Sequence, residues 1–268
     1  TFILTYLILL TSILGYGMFF SRFFTFYNKI NIQKISTGYI GLYGIFGLIL
    51  ISFVTSLILP HNHGHNLFIF FIGIVFFIYF FFKLKKNIFS DKKYFLFSIV
   101  LSIFAIYYFK NHDDFSYYHL NFIHNLSLNK VEFGLGNFDP AYNHVSSLFF
   151  FHSLFNLPFT NDYFYFIGPI SIMVFVNTIL INNIFNRNKN SFLDFSFFLS
   201  LLIFIFINIF FYRLAEHGTD RSAQILIFIL MIVMLEYFFI NKLNKIDLIF
   251  IYILLGLIIS LKAFYILY

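Results

Sequence analysis

Adjacent carboxylates at Asp113 and Asp114 stand just ahead of Tyr118 and His119. Paired acids suit general-base chemistry on a hydroxyl: one accepts the proton, and its neighbour's like charge raises the pKa of the pair. The same acids also fit a structural role, in which one of them accepts from the free amides that open a helix. If the chain is helical from there, Asp114, Tyr118, Asn121 and Asn125 share one polar stripe. Leu120, Phe122, Ile123 and Leu126 then form the opposite, apolar face. Further on, Gly134-Leu135-Gly136-Asn137 and Asp139-Pro140 predict a tight backbone reversal, with no phosphate-loop spacing. Asn143 and His144 follow. Ser146 and Ser147 come next and suit the capping of a short helix that Pro158 would end.

Two further groups carry chemistry. Arg213 and Arg221 flank Glu216-His217-Gly218-Thr219-Asp220, and guanidinium groups bind phosphate through paired hydrogen bonds. Their other reading is snorkelling, or pairing with Glu216 and Asp220, while Thr219 or Asp220 caps the helix that follows. His61, His63 and His65 alternate in a short loop. Imidazoles so placed could hold a divalent metal, yet the spacing lacks the separation of dependable zinc motifs, so a solvated turn is the stronger expectation. No metal ligand is assigned and no cofactor is required, with a divalent metal left open.

These groups hang on strongly apolar elements. The 268 residues are 60% hydrophobic and 10% charged, against roughly a quarter charged in soluble domains. Zero Cys excludes disulfides, thiolate metal sites and Cys nucleophiles. Zero Trp beside 47 Phe points to compositional bias rather than function. Eight apolar segments, near residues 2–20, 38–60, 66–83, 94–109, 163–184, 192–212, 222–241 and 247–267, predict about eight transmembrane helices. They form one all-α polytopic bundle over residues 1–268, because lipid tolerates only backbone that bonds internally. Between the fourth and fifth segments, residues 110–161 form a long loop expected to fold into short helices on the membrane surface. The N-terminus lacks Met and a basic leader, and the C-terminus stops within an apolar run, so a piece of a longer chain is expected.

Charge orients the segments. Twelve of the 17 basic residues fall in alternate loops: Arg22, Lys29, Lys34; Lys83, Lys85, Lys86, Lys92, Lys93; Arg187, Lys189; and Lys242, Lys245. Those loops are cytoplasmic by the positive-inside rule, which puts the N-terminus and the acidic loop outside. All nine His then lie outside with seven of the 11 acids. The net charge of +6 sits where anionic lipid headgroups explain it, so the partner is the bilayer and not nucleic acid. Lys262, inside the eighth segment, is the charge at depth that keeps a transport pathway in view.

The run Asp114-Phe-Ser-Tyr-Tyr118-His119-Leu120, then Gly134-Leu-Gly-Asn137, then Asn143-His-Val-Ser146-Ser147, resembles a family of uncharacterised bacterial multispan membrane proteins. That family is similar in layout to membrane glycosyltransferases of the GT-C type, which use an outward acid and a polyprenyl-phosphate sugar donor. The resemblance implies Asp114, aided by Asp113, as base, with Tyr118, His119, Asn137 and Asn143 lining its pocket. His144, Arg213 and Arg221 join as substrate-binding candidates from their residue types and places. The expected function is transfer of a polyprenyl-phosphate-linked sugar at the outer face of the bacterial inner membrane, a cell-envelope role. A transporter or flippase of a lipid-linked or anionic solute is the alternative, as is a surface-polysaccharide polymerase or ligase.

Overall fold

The computed structural model describes residues 2–28, 35–84, 91–107, 114–160, 162–185, 191–211, 218–240 and 245–267. Among the described residues the chain is all-helical, without a strand. Its ten α-helices are α1 (Phe2–Asn28), α2 (Thr37–Ser56), α3 (His63–Leu84), α4 (Lys92–Tyr107), α5 (Leu120–Leu128), α6 (Ser147–Ser153), α7 (Ile167–Phe185), α8 (Ser191–Phe210), α9 (Thr219–Ile240) and α10 (Lys245–Leu261). Eight of them coincide with the eight apolar segments, and α5 and α6 belong to the long loop. Five stretches are long and apolar enough to cross a membrane: Phe2–Phe23, Thr37–Ser56, His63–Lys83, Phe164–Phe185 and Thr219–Phe238. The apolar helices Phe195–Phe210 and Leu248–Leu261 are shorter.

Helix α7 is the axle. Every residue from Ile167 to Ile181 is buried, with α2, α4, α8 and α9 packed around it. A helix apolar on all sides is stable only where it is enclosed. Its one carboxamide there is matched: Asn177 and Asn208 of α8 exchange hydrogen bonds of 3.0 and 3.1 Å. Against this axle stands a tighter group, α1 with α2 and α3. Small residues let these backbones touch. A Cβ on Gly44 would collide with the Ile13 carbonyl, and one on Gly15 with that of Gly73.

The helices alternate in direction, so the bundle has two distinct ends. At the basic end, Asp91 joins the starts of α2 and α4, accepting from Ser36 Oγ at 2.8 Å, from the Thr37 amide at 2.9 Å and from the Thr37 hydroxyl. At the other, Lys262 beyond α10 meets Asp220 in the first turn of α9 at 2.9 Å. This second end carries the long loop.

Three expectations change. Helix α10 stops at Leu261 and a 3-10 turn, Ala263–Leu267, follows, so Lys262 lies at an exposed helix end and not at depth. Helix α3 starts at His63, which takes His63 and His65 out of the supposed loop. Helix α6 ends at Ser153, ahead of Pro158, and does not lie on a surface. All of Leu148–Ser153 is buried, against α2, α5, α7 and α10. Its four consecutive apolar side chains and His152 leave no polar face to show to water.

Gly44→Leu is expected to lower stability by about 1–3 kcal/mol through overpacking, seen as a lower melting temperature in detergent. Gly64→Ala, whose Cβ meets only Asn62 Oδ1 at 3.5 Å, leaves the melting temperature unchanged.

Candidate functional site

A polar knot sets the position of the loop. Asn66, buried at the start of α3, donates through Nδ2 to the carbonyls of His61 (2.9 Å), Ser153 (2.8 Å) and Asn156 (2.9 Å). The fully buried His61 ring bonds Ser153 Oγ through Nδ1 (2.5 Å) and Thr55 Oγ1 through Nε2 (3.1 Å). It stacks on His65, centroids 4.8 Å apart. The His61 amide donates to Leu126 O and the Val131 amide to Ser56 O, so α5 and the chain after it are tied to the end of α2. These histidines are structural cross-links between segments, and among the described residues no group of three His, Asp or Glu side chains could hold a metal ion.

On this base the acidic segment begins with one widened turn. Phe115–His119 is π-helical, with the Leu120 amide donating five residues back to Phe115 O, and α5 continues from it. Phe122, Ile123 and Leu126 face the core as the pattern predicts, while Asp114 and Asn121 are exposed. Asp114 occupies the cap position without accepting a capping hydrogen bond. The capping alternative for Asp114 is therefore not realised, and its carboxylate sits exposed beside Tyr118. His119 turns inward, its ring 4.4 Å from that of Phe149 and 4.2 Å from that of Tyr118.

Tyr118 is where distant parts of the chain meet. Burial raises its pKa above the usual phenol value, and the negative fields of Asp114 and Asp220 raise it further. The phenol therefore stays a proton donor between two carboxylates from opposite halves of the sequence. Asp220 is balanced by Lys262. The next residue, Arg221, places Nη1 in the interior with no hydrogen-bond partner. Helix α9 is opened by Gly218, whose carbonyl accepts from the Ser222 amide at 2.7 Å, rather than by Thr219 or Asp220. A helix N-terminus beside an unsatisfied guanidinium nitrogen is a place for an anion.

The glycine motif builds a second feature. Gly134 adopts φ 86° and opens the 3-10 turn Leu135–Asn137. Asp139 caps the next turn, Pro140–His144, by accepting from Ala141 N at 2.9 Å. A Cβ on Gly136 would collide with Asn143 Oδ1, so only glycine lets that carboxamide lie on the backbone. The two turns wall a cavity of about 440 Å³ in which Glu132, Asn137, Tyr142 and Asn143 face Phe122 and Phe150. Ser146 caps α6, accepting from Leu148 N at 3.2 Å while donating to Leu261 O at 2.7 Å, which fixes the end of α10.

The predicted residues thus fall into two groups. Asp114, Tyr118 and His119 stand together on the widened turn, with Tyr118 in the field of Asp220 at the start of α9, whereas Asn137 and Asn143 line the cavity. Tyr142 lines the cavity beside them, its ring 6.1 Å from that of Phe122. Asp113 and Arg213 lie outside the described residues, as does the side chain of His144. Sequence reasoning missed the Asp220–Lys262 pair, Glu132 and the wholly buried His152. The pair was readable in principle, because antiparallel neighbours bring the end of the last helix to the start of the one before it.

The family model described as a domain of unknown function (DUF8201) matches residues 1–268. No curated protein and no solved structure matches the chain.

Burial, with a smaller push from His65, lowers the His61 ring to about 4. Burial and then His119 lower His152 to about 3. Rings with folded pKa values below the ordinary 6.5 are protonated first in the unfolded chain. Stability is therefore full above pH 6.5 and declines as pH falls toward 4. Melting temperatures measured from neutral pH downward should fall steadily over that window. His152→Leu, which removes two buried nitrogens without partners, gives a shallower decline.

Proposed function

The chain belongs to the DUF8201 family over its full length, and we propose that it is a membrane-embedded glycosyltransferase of the GT-C-like type. It takes a sugar from a polyprenyl-phosphate carrier and delivers it to an acceptor hydroxyl at the outer face of the bacterial inner membrane. All eight apolar helices cross the bilayer in this reading, with the basic end in the cytoplasm. The supporting observation is Tyr118, beside Asp114 on the widened turn and in the field of Asp220 in the first turn of α9, where the next residue, Arg221, holds a buried guanidinium nitrogen without a hydrogen-bond partner.

In the transfer, the acceptor oxygen bonds to the anomeric carbon as the bond from that carbon to the phosphate oxygen breaks. Asp114 takes the acceptor proton. Arg221 and the free amides at the start of α9 hold the phosphate as its charge grows, which is how fixed donors lower such a barrier. Tyr118, kept protonated, donates a hydrogen bond between the two partners. The mechanism inverts the anomeric centre and needs no protein nucleophile. Transport has less support, because the one deep charge it drew on, Lys262, lies at a helix end in an ion pair.

Asp114→Asn is expected to cut transfer from a radiolabelled polyprenyl-phosphate hexose by about 100-fold or more, with the fold intact by melting temperature; full activity would remove the base. Arg221→Ala is expected to weaken donor binding more than turnover. Orientation has its own test, since the chain has no Cys. A Lys130→Cys variant should react with an impermeant maleimide on intact spheroplasts, and Lys93→Cys only after lysis.

A further inference from the structure

The cavity beside the glycine turns is open to a ligand of its own. At about 440 Å³ it has the size of a small-molecule site, and its walls divide by chemistry. Phe53, Phe122 and Phe150, from α2, α5 and α6, make one side. Phe53 belongs to an apolar strip on α2 that the protein leaves bare: Leu50, Phe53 and Val54 are 43%, 47% and 53% exposed, and Leu57 and Ile58 extend it toward the loop. On a bundle that sits in lipid, such a strip is the membrane face, so the aromatic side of the cavity runs on into the bilayer.

The polar side is the opposite of a phosphate site. Asn137, Asn143 and Glu132 supply two carboxamides and a carboxylate, and no Lys, Arg or His is among the described lining residues. Glu132 accepts from Asn125 Nδ2 at 3.4 Å, which holds it in place without neutralising it. The contact of Gly136 with Asn143 orients that carboxamide. Carboxamides and a carboxylate match neighbouring hydroxyls, each of which can donate and accept, and the Glu132 carboxylate would repel an anionic headgroup.

We infer that this cavity binds a second lipid, one with an uncharged, polyhydroxylated headgroup, its chain leaving along the Phe53 strip. That this lipid is the acceptor rests on the proposed transferase reading; the binding itself does not. In that reading the donor phosphate stays with Arg221, which is not among the residues that line the cavity.

The absence of Trp allows a direct test. Phe133 lines the cavity and is 85% exposed, so Phe133→Trp adds one indole there without crowding. The protein in nanodiscs is compared with equal mole fractions of three lipids dibrominated along the chain: glucosyl-diacylglycerol, phosphatidylglycerol and phosphatidylethanolamine. Selective binding appears as about fivefold stronger quenching by the glucosyl lipid, and Asn143→Ala or Glu132→Gln reduces the preference. Equal quenching by all three, preference for either phospholipid, or none at all overturns the inference. If the variants misfold, the lipid comparison alone decides. Asp114→Asn in the Phe133→Trp background separates the two claims. Selectivity kept while the Phe133→Trp protein transfers no sugar removes the transferase alone, and selectivity absent while that protein transfers sugar and Asp114→Asn abolishes it removes the lipid site alone.

Discussion

Asn66 holds the loop end together. Its single amide nitrogen serves three carbonyls, one five residues before it and two from the remote stretch that ends α6, and it is fully buried. With two protons for three acceptors, one bond is shared. The His61 ring completes the arrangement by bonding with both nitrogens. Through these two residues the end of α2, the start of α3 and the end of α6 become one rigid corner. Both the widened turn and the cavity are built outward from it.

The corner matters because the loop has few other means of staying put. It contains one nine-residue helix, one seven-residue helix and short turns, too little regular structure to be stable alone. Burying α6 solves that problem. An apolar helix driven into the top of the bundle anchors the segment before it and the segment after it. Ser146 then reaches the last carbonyl of α10. Lys262, held just past that point, is placed to neutralise Asp220, and Arg221 is left as the cation with an unsatisfied nitrogen. A packing decision in the loop thereby sets the charge balance around Tyr118.

Much of the candidate site was legible as residue types. The sequence shows Asp114 with Tyr118 four residues on, the glycine turn ahead of Asn143, and Arg221 close to a helix start. Their grouping was not legible. The order along the chain presents Asp114, Asn137 and Asn143 as one pocket, but the cavity that the glycine turns wall takes in both carboxamides and not Asp114. Asp220 and Asp114, about a hundred residues apart in the chain, act on the same phenol of Tyr118 only through the fold. His152 was read with the outward polar residues and is wholly buried, since nothing local distinguishes a histidine that faces water from one enclosed by phenylalanines.

The sequence by itself determined the class of the molecule and its coarse plan. Apolar segments of helical length, too poor in charge for a soluble fold, dictate an all-helical bundle because backbone groups without water must bond within their own helix. The tertiary structure alone decided where each helix stops and what its ends touch. Lys262 illustrates the difference. Hydropathy extends α10 through it, because the averaging window sees apolar residues on both sides. The fold ends the helix at Leu261, where an ion pair with Asp220 and the Ser146 hydrogen bond to the last carbonyl are available. Hydropathy is a sum over neighbours in sequence, whereas a helix end is settled by partners that are distant in sequence and near in space.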